Sequence, residues 1–233
     1  MAQPNRKLFL IPTILADDTQ HKVLSPQIVD TIQELNVFFV ENVRTARRFI
    51  SSLKIGKVID ELTFIELDKD TPEQVTAEHL RTLTQDAGVL SEAGCPGIAD
   101  PGAVAVGVAH KLGFQVVPLV GPSSILLALM SSGMSGQSFV FHGYLPIDKT
   151  ERKKALQQLE RDARRGQTQI FMETPFRNNQ LFEAITESCA PDTLLCIASN
   201  VTGSDEFIKT LPVKNWKSYK PDLHKKPTIF LLG

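Results

Sequence analysis

The stretch Leu90-Ser-Glu-Ala-Gly94-Cys-Pro96-Gly97-Ile-Ala-Asp100-Pro101-Gly102 decides the fold class of this 233-residue chain. It follows a short apolar run at 88–91. It precedes a helix-period segment that starts at Ala103 and stops at Gly113, a residue suited to the position after a helix end. A strand that feeds a helix through a glycine-rich turn is the unit of α/β architecture. The turn then stands at the carboxyl end of its strand, where open α/β sheets bind ligands. Glycines let backbone come close to a bound molecule, and free N–H groups can hold a carboxylate or phosphate. Gly94 and Gly97 do not spell GxGxxG, and no Gly-Lys-Ser/Thr follows for a P-loop. The same residues can equally form a tight structural turn. A second junction, Pro118-Leu-Val-Gly121-Pro122-Ser123-Ser124, joins a strand to a helix with hydroxyls at the helix start. There Ser123 caps the helix or, with its neighbours, holds a ligand.

Working outward, short runs rich in Val, Ile and Phe predict strands at 7–11, 37–41, 63–67, 88–91 and 115–119. Later ones fall at 138–142, 169–173, 194–199, 206–210 and 228–232. Helix patterns lie between them. Ser25-Pro26 supplies a cap and a first-turn proline for a helix to about residue 35. Further helices are predicted over 42–53, after Thr71-Pro72-Glu73-Gln74, over 103–113, from Pro122 or Ser123 to about 132, over 150–165, and after Thr174-Pro175. The alternation predicts an α/β fold with largely parallel sheets and no internal repeat. With no long linker present, the boundary is placed near residues 117–121, giving domains 1–118 and 119–233.

Composition narrows the class. Hydrophobic residues make up 42% and charged residues 22%, and the net charge is −1. This excludes a disordered, collagen-like or coiled-coil chain. It also leaves no overall positive field, so a nucleic-acid partner needs a local basic patch. Residues 1–120 carry 11 Lys/Arg against 15 Asp/Glu, and residues 121–233 carry 14 against 11. Cys95, Cys189 and Cys196 form no CxxC pair, which argues against a disulfide scaffold and for a reducing compartment. The five histidines show no metal-ligand spacing, and no metal is expected. No apolar run approaches the roughly 20 residues of a membrane span. The start does not resemble a signal peptide, so a cytoplasmic protein is expected.

Gly94-Cys-Pro-Gly-Ile-Ala-Asp-Pro-Gly102 resembles the "AGTPLISDPG" signature of the tetrapyrrole methylase superfamily, the class III S-adenosylmethionine-dependent methyltransferases. The branch it is most similar to comprises ribose 2′-O-methyltransferases of small-subunit ribosomal RNA. Val40-Glu-Asn-Val-Arg44-Thr-Ala-Arg47-Arg48 is similar to that branch's "CEDTRTARR". Gly143-Tyr-Leu-Pro146, with Lys149 and Arg152, resembles "GFLP…K…R". Phe171-Met-Glu173-Thr-Pro175-Phe-Arg177 resembles "FYESPHR", and Ser199-Asn-Val-Thr202 with Glu206 falls where "RELT…E" would. The matches run in order from about residue 8 to 232.

The resemblance implies two α/β domains with a cofactor cleft between them, S-adenosyl-L-methionine as cofactor, and a homodimer. By motif position, the implied cofactor contacts are Pro12, Gly94, Cys95, Ile98, Ser123, Ser124, Met172, Val201, Pro227 and Thr228. Candidates for an anionic acceptor are Arg44, Arg47, Lys149, Arg152 and Arg177. Candidates for a general base are Glu41, Glu173 and Asp100. Each base candidate can equally be structural; Asp100 reads as a helix cap and Glu41 as an ion-pair partner of Arg44. His142 ends a strand and is a candidate polar wall.

The departures fall on the acceptor side. Where the branch has "PTPIGNLGDIT", this chain has Pro12-Thr-Ile-Leu-Ala-Asp-Asp-Thr-Gln-His21. "EDTR" has become Glu41-Asn42-Val43-Arg44, and "RELTK" has become Ser199-Asn200-Val201-Thr202-Gly203. Three readings follow: a methyltransferase for ribosomal RNA, one for a tetrapyrrole or other small molecule, or a protein that binds S-adenosylmethionine without transferring its methyl group.

Overall fold

The structure, a computed structural model, describes residues 6–68 and 70–233. It divides into two compact units, Met1–Ser123 and Ser124–Gly233. The expected boundary was 118/119. The residues beyond it stay with the first unit because the Leu119 N–H donates to the Leu10 carbonyl at 3.0 Å and the Leu119 side chain is buried in that unit's core.

The first unit contains β1 (Lys7–Ile11), β2 (Val37–Val40), β3 (Thr63–Glu66), β4 (Ala87–Leu90) and β5 (Gln115–Pro118), in the order β3-β2-β4-β1-β5. Every pairing is parallel. A parallel strand covered on both faces must be apolar throughout, and Val37–Val40 and Ala87–Leu90 are buried at every position. Helices α4 (Glu73–Thr82) and α5 (Gly102–Lys111) cover one face, where Phe39, Leu80, Val89 and Val108 pack together. On the other face, α2 (Pro26–Glu34) and α3 (Val43–Ser52) bury Ile28, Ile32, Phe49 and Ile50 against Phe38 and Leu90. A single turn, α1 (Gln20–Val23), precedes α2 and has no counterpart among the expected helices.

The second unit contains β6 (Phe139–Tyr144), β7 (Thr168–Met172), β8 (Leu194–Ser199), β9 (Phe207–Pro212) and β10 (Thr228–Leu232), in the order β6-β7-β10-β8-β9. Here the expectation of largely parallel sheets fails. Only β6 and β7 run parallel; β10 is antiparallel to β7 and β8, and β8 is antiparallel to β9. A parallel return needs a crossover of a dozen or more residues, and residues 200–206 between β8 and β9 are too few. Helix α6 (Ser124–Ser132) covers one face; α7 (Lys149–Ala163), α8 (Asn178–Ser188) and α9 (Val213–Tyr219) cover the other. In the short α9, Trp216 is fully buried and its indole N–H donates to the Leu195 carbonyl at 2.9 Å. The helix expected directly after Thr174-Pro175 begins instead at Asn178. The Glu173 carboxylate accepts from the Thr174 N–H, and the Arg177 N–H closes a turn onto the Thr174 carbonyl.

Candidate active site

In the first unit, the carboxyl ends of β1, β4 and β5 are tied to one another by their loops. The Thr13 N–H donates to the Gly94 carbonyl at 2.9 Å, and the Ser91 hydroxyl donates to the same oxygen at 3.0 Å. The Cys95 thiol donates to the Pro122 carbonyl at 3.3 Å. A Cβ on Gly121 would stand 2.2 Å from Pro12 Cβ, so only glycine admits this approach of the β1 and β5 loops. Pro12, Gly94, Cys95 and Ser123 therefore gather around one turn, with Pro12, Gly94 and Ser123 buried and Ile98 exposed on the same loop. Burial pushes the Cys95 thiol up, which keeps it protonated and unsuited to nucleophilic work.

Asp100 shapes this loop. Its Oδ1 accepts from the Gly97 N–H at 2.7 Å and the Gly102 N–H at 2.8 Å, while Oδ2 is buried with no partner among the described residues. Burial raises its carboxyl, and the two backbone bonds act against that rise. Glu41, just past β2, is half-buried. Burial, then the charges of Glu92 and Asp100, push its carboxyl up. Glu92 lies inside the decisive stretch and was not among the expected site residues. Its signal was its place, one residue beyond Ser91 at the carboxyl end of the central strand. The Thr45 hydroxyl donates to Glu92 Oε1 at 3.1 Å.

A groove of about 820 Å³ opens in this unit, lined in part by Leu15, Asp17, Thr45, Arg47, Arg48 and Glu92. Asn42 caps α3, its side chain accepting from the Thr45 N–H at 3.0 Å. This cap places Arg44 and Arg48 exposed on α3, while Arg47 pairs with Asp60. The expected ion pair between Glu41 and Arg44 is not formed among the described residues.

In the second unit, Met172 ends β7 and Thr228 opens β10; Met172 pairs with Ile229, and Thr228 with Ser199. The Thr228 hydroxyl is 3.0 Å from both the Ser199 hydroxyl and the Lys226 carbonyl. The Asn200 N–H donates to the Pro227 carbonyl at 2.8 Å. Met172, Val201, Pro227 and Thr228 thus share one end of this sheet, and Ser124 is the first residue of α6. The Thr202 hydroxyl beside them is buried and has no partner among the described residues.

Glu173 is buried and engaged. Its Oε1 accepts from the Thr174 N–H at 2.6 Å and from Arg177 Nη2 at 2.7 Å, which makes it an anchor for Arg177. Lys149 is exposed, but Arg152 is only 7% exposed and its Nε has no partner among the described residues. His142 Nε2 lies 2.7 Å from Gln169 Oε1. Among the described residues, no group of three or more His, Cys, Asp or Glu could hold a metal ion, and no helix is long and apolar enough to cross a membrane.

Two such units recur together in solved structures. The chain superposes on the methyltransferase CobJ with a TM-score of 0.65 at 16% identity, covering 99% of this chain and 94% of CobJ. It superposes on uroporphyrin-III C-methyl transferase from Thermus thermophilus, complexed with S-adenyl homocysteine, with a TM-score of 0.59 at 13% identity, covering 98% and 97%. The fold is therefore that of the tetrapyrrole methylases. No family model matches the chain. Among curated relatives, ribosomal RNA small subunit methyltransferase I of Leptospira borgpetersenii is 34% identical over 185 residues, 76% of this chain and 68% of the relative. The Vibrio cholerae protein of that name is 28% identical over 232 residues, covering 97% and 76%. The Bacillus subtilis one is 29% identical over 203 residues, covering 87% of this chain and 66% of the relative. The chain belongs to the ribosomal RNA small subunit methyltransferase I family.

Proposed function

We propose that this chain transfers a methyl group from S-adenosylmethionine to small-subunit ribosomal RNA, at a ribose 2′-hydroxyl. The observation that carries the reading is the Gly94 turn. Its carbonyl gathers Thr13 and Ser91 at the adjoining carboxyl ends of β1 and β4, and the chain's relatives bear the name of methyltransferases for that RNA.

The residues present fit the cofactor. Its carboxylate, amine, ribose and adenine need hydrogen-bonding groups set among apolar walls. In the first unit, Pro12, Gly94, Cys95, Ile98 and Ser123 would serve; in the second, Ser124, Met172, Val201, Pro227 and Thr228. The buried, unpartnered Thr202 hydroxyl is the kind of group a nucleoside satisfies. When bound, S-adenosylmethionine supplies an electrophilic methyl on a sulfonium.

The chain's own task is to orient the acceptor, exclude water and take its proton. A ribose hydroxyl is weakly acidic, so a base is needed. Glu41 is the proposed one. Its raised carboxyl brings it toward the pH at which a base is most effective, and it stands at a strand's carboxyl end. Asp100 shapes the loop, and Glu173 positions Arg177. Arg44, Lys149 and Arg177 would face the anionic backbone of the RNA. Arg47 is tied to Asp60, and Arg152 is largely buried. We further propose a cytoplasmic homodimer, on the family resemblance.

A second reading, a small-molecule acceptor, is favoured by the structural neighbours, one of them named a uroporphyrin-III C-methyl transferase. A third, binding without transfer, is favoured by the replaced polar residues at Asn42 and at 199–203. Incubation with methyl-labelled S-adenosylmethionine and cell extract, fractionated into RNA and small molecules, separates the three. Label in RNA supports the proposal. Label in the small-molecule fraction, or none, overturns it.

A further inference from the structure

The second unit carries a surface that the cofactor does not explain. Strand β6 is bulged: Phe141 pairs with Ile170 and Tyr144 with Met172, so three steps along β6 match two along β7. Gly143 takes the left-handed conformation this requires, with φ +65°. Bulges re-aim side chains and are frequent beside active sites. Tyr144 is the residue re-aimed. It stands 57% exposed, directly across from Met172 at the carboxyl ends of the only parallel strand pair in this sheet.

Tyr144 is one wall of a groove of about 470 Å³, completed by Leu145, Pro146, Ile147, Thr174 and Arg177. Phe176, on the turn between Thr174 and Arg177, is 68% exposed and Ile147 is 65% exposed. The Phe176 and His224 rings are nearly perpendicular, at 74°, with centroids 6.2 Å apart. Folding gains nothing from leaving such rings in water. Arg177 brings charge to the rim, fixed by the buried Glu173 at 2.7 Å, and its Nε is a buried donor with no partner among the described residues.

We propose that this groove receives an unpaired nucleobase of the RNA acceptor, stacked on Tyr144, with Arg177 donating to a base carbonyl or phosphate oxygen and Phe176, exposed on the turn between Thr174 and Arg177, open to a neighbouring base. The inference rests on the RNA reading above. Proteins recognise single-stranded RNA by stacking splayed bases on exposed aromatic rings and guanidinium planes. The groove supplies the Tyr144 ring and a fixed donor, the exposed Phe176 stands on the turn that helps line it, and Tyr144 pairs across the strands with Met172, a proposed cofactor contact.

The test uses a single-stranded RNA 12-mer carrying 2-aminopurine, whose fluorescence is quenched by stacking, together with methyl transfer to purified small-subunit RNA. The wild type should quench the probe. Tyr144→Ala with Phe176→Ala should raise the probe's Kd roughly tenfold or more and raise KM for RNA, while Tyr144→Phe should keep both near wild type. S-adenosylhomocysteine affinity should not change in any variant, which controls for folding. Unchanged Kd and KM in the double variant, with methyl transfer to RNA intact in the wild type, would overturn the groove alone. No methyl transfer to RNA by the wild type would overturn the RNA reading and the groove with it. A porphyrin that binds the wild type and is lost in the double variant, with no quenching of the 12-mer, would assign the groove to a flat macrocycle and overturn the nucleobase.

Discussion

The Thr13 N–H donates to the carbonyl of Gly94 at 2.9 Å, a bond between the loop after the first strand and the loop after the fourth. It makes the turn at Gly94 part of the fold as well as of the site. Gly94 has φ +76°, and a Cβ there would lie 3.1 Å from Leu15 Cδ2 and 3.3 Å from the Pro122 carbonyl. Gly94→Ala should therefore destabilise the protein by about 1–2 kcal/mol through backbone strain, and Gly94→Val by more. Urea unfolding and calorimetric titration with S-adenosylhomocysteine check this. Both stability and affinity should fall together, and an unchanged unfolding midpoint would show that the turn is not under this constraint.

Glu41 yields a pH signature. Burial, Glu92 and Asp100 raise its carboxyl in the folded protein. The unfolded chain releases this proton at lower pH. The favourable contribution is thus fully present below the ordinary carboxylate pKa and is lost as pH rises through the folded value. Glu41→Gln removes that loss. Its Tm should exceed wild type at pH 8, with the difference vanishing near pH 4, while methyl transfer falls by about 10²–10⁴-fold. A variant that keeps full activity would exclude Glu41 as the base.

Asp100 separates charge from geometry. Asp100→Ala deletes the acceptor of the Gly97 and Gly102 N–H groups and should cost about 0.5–2 kcal/mol, as for a lost cap. Asp100→Asn keeps an acceptor oxygen and removes a buried charge, so it should be more stable than Asp100→Ala at pH 7. Equal unfolding midpoints for the two variants would contradict the loop-shaping role.

The basic residues divide by exposure. Arg44 is exposed on α3, whereas Arg152 is 7% exposed. Arg44→Ala should reduce the magnitude of the slope of log affinity for RNA against log salt by about 0.7. Arg152→Ala should lower stability and leave that slope unchanged. Salt titrations of a fluorescent RNA fragment decide; a flattened slope for Arg152→Ala alone would reverse the assignment.

Much of this architecture is written locally. The runs 7–11, 194–199 and 228–232 become strands with those bounds, and the helix expected from residue 42 opens on Asn42, whose side chain caps it. Ser25 does not: its side chain makes no capping bond, and Pro26 alone marks the start of α2. The three antiparallel pairings of the second sheet were missed because strand composition does not carry direction. The short, helix-free connection at 200–206 did carry it. Helix α9 was missed because seven residues, Val213–Tyr219, hold less than two full turns; burial of Val213 and Trp216 creates it. The helix-cap reading of Asp100 matches its bond from the Gly102 N–H, whereas its bond from the Gly97 N–H and the engagement of Glu173 with Arg177 were not read from the sequence. Glu92 and Thr45 acquire meaning through a contact across 47 positions that no local pattern encodes.

The most direct measurement is mass spectrometry of purified small-subunit RNA after incubation with the protein and S-adenosylmethionine. The account predicts one added methyl group on a ribose 2′-oxygen, absent when excess S-adenosylhomocysteine is included and strongly reduced by Glu41→Gln. RNA that gains no methyl group, from a protein shown by calorimetry to bind S-adenosylhomocysteine, would contradict it.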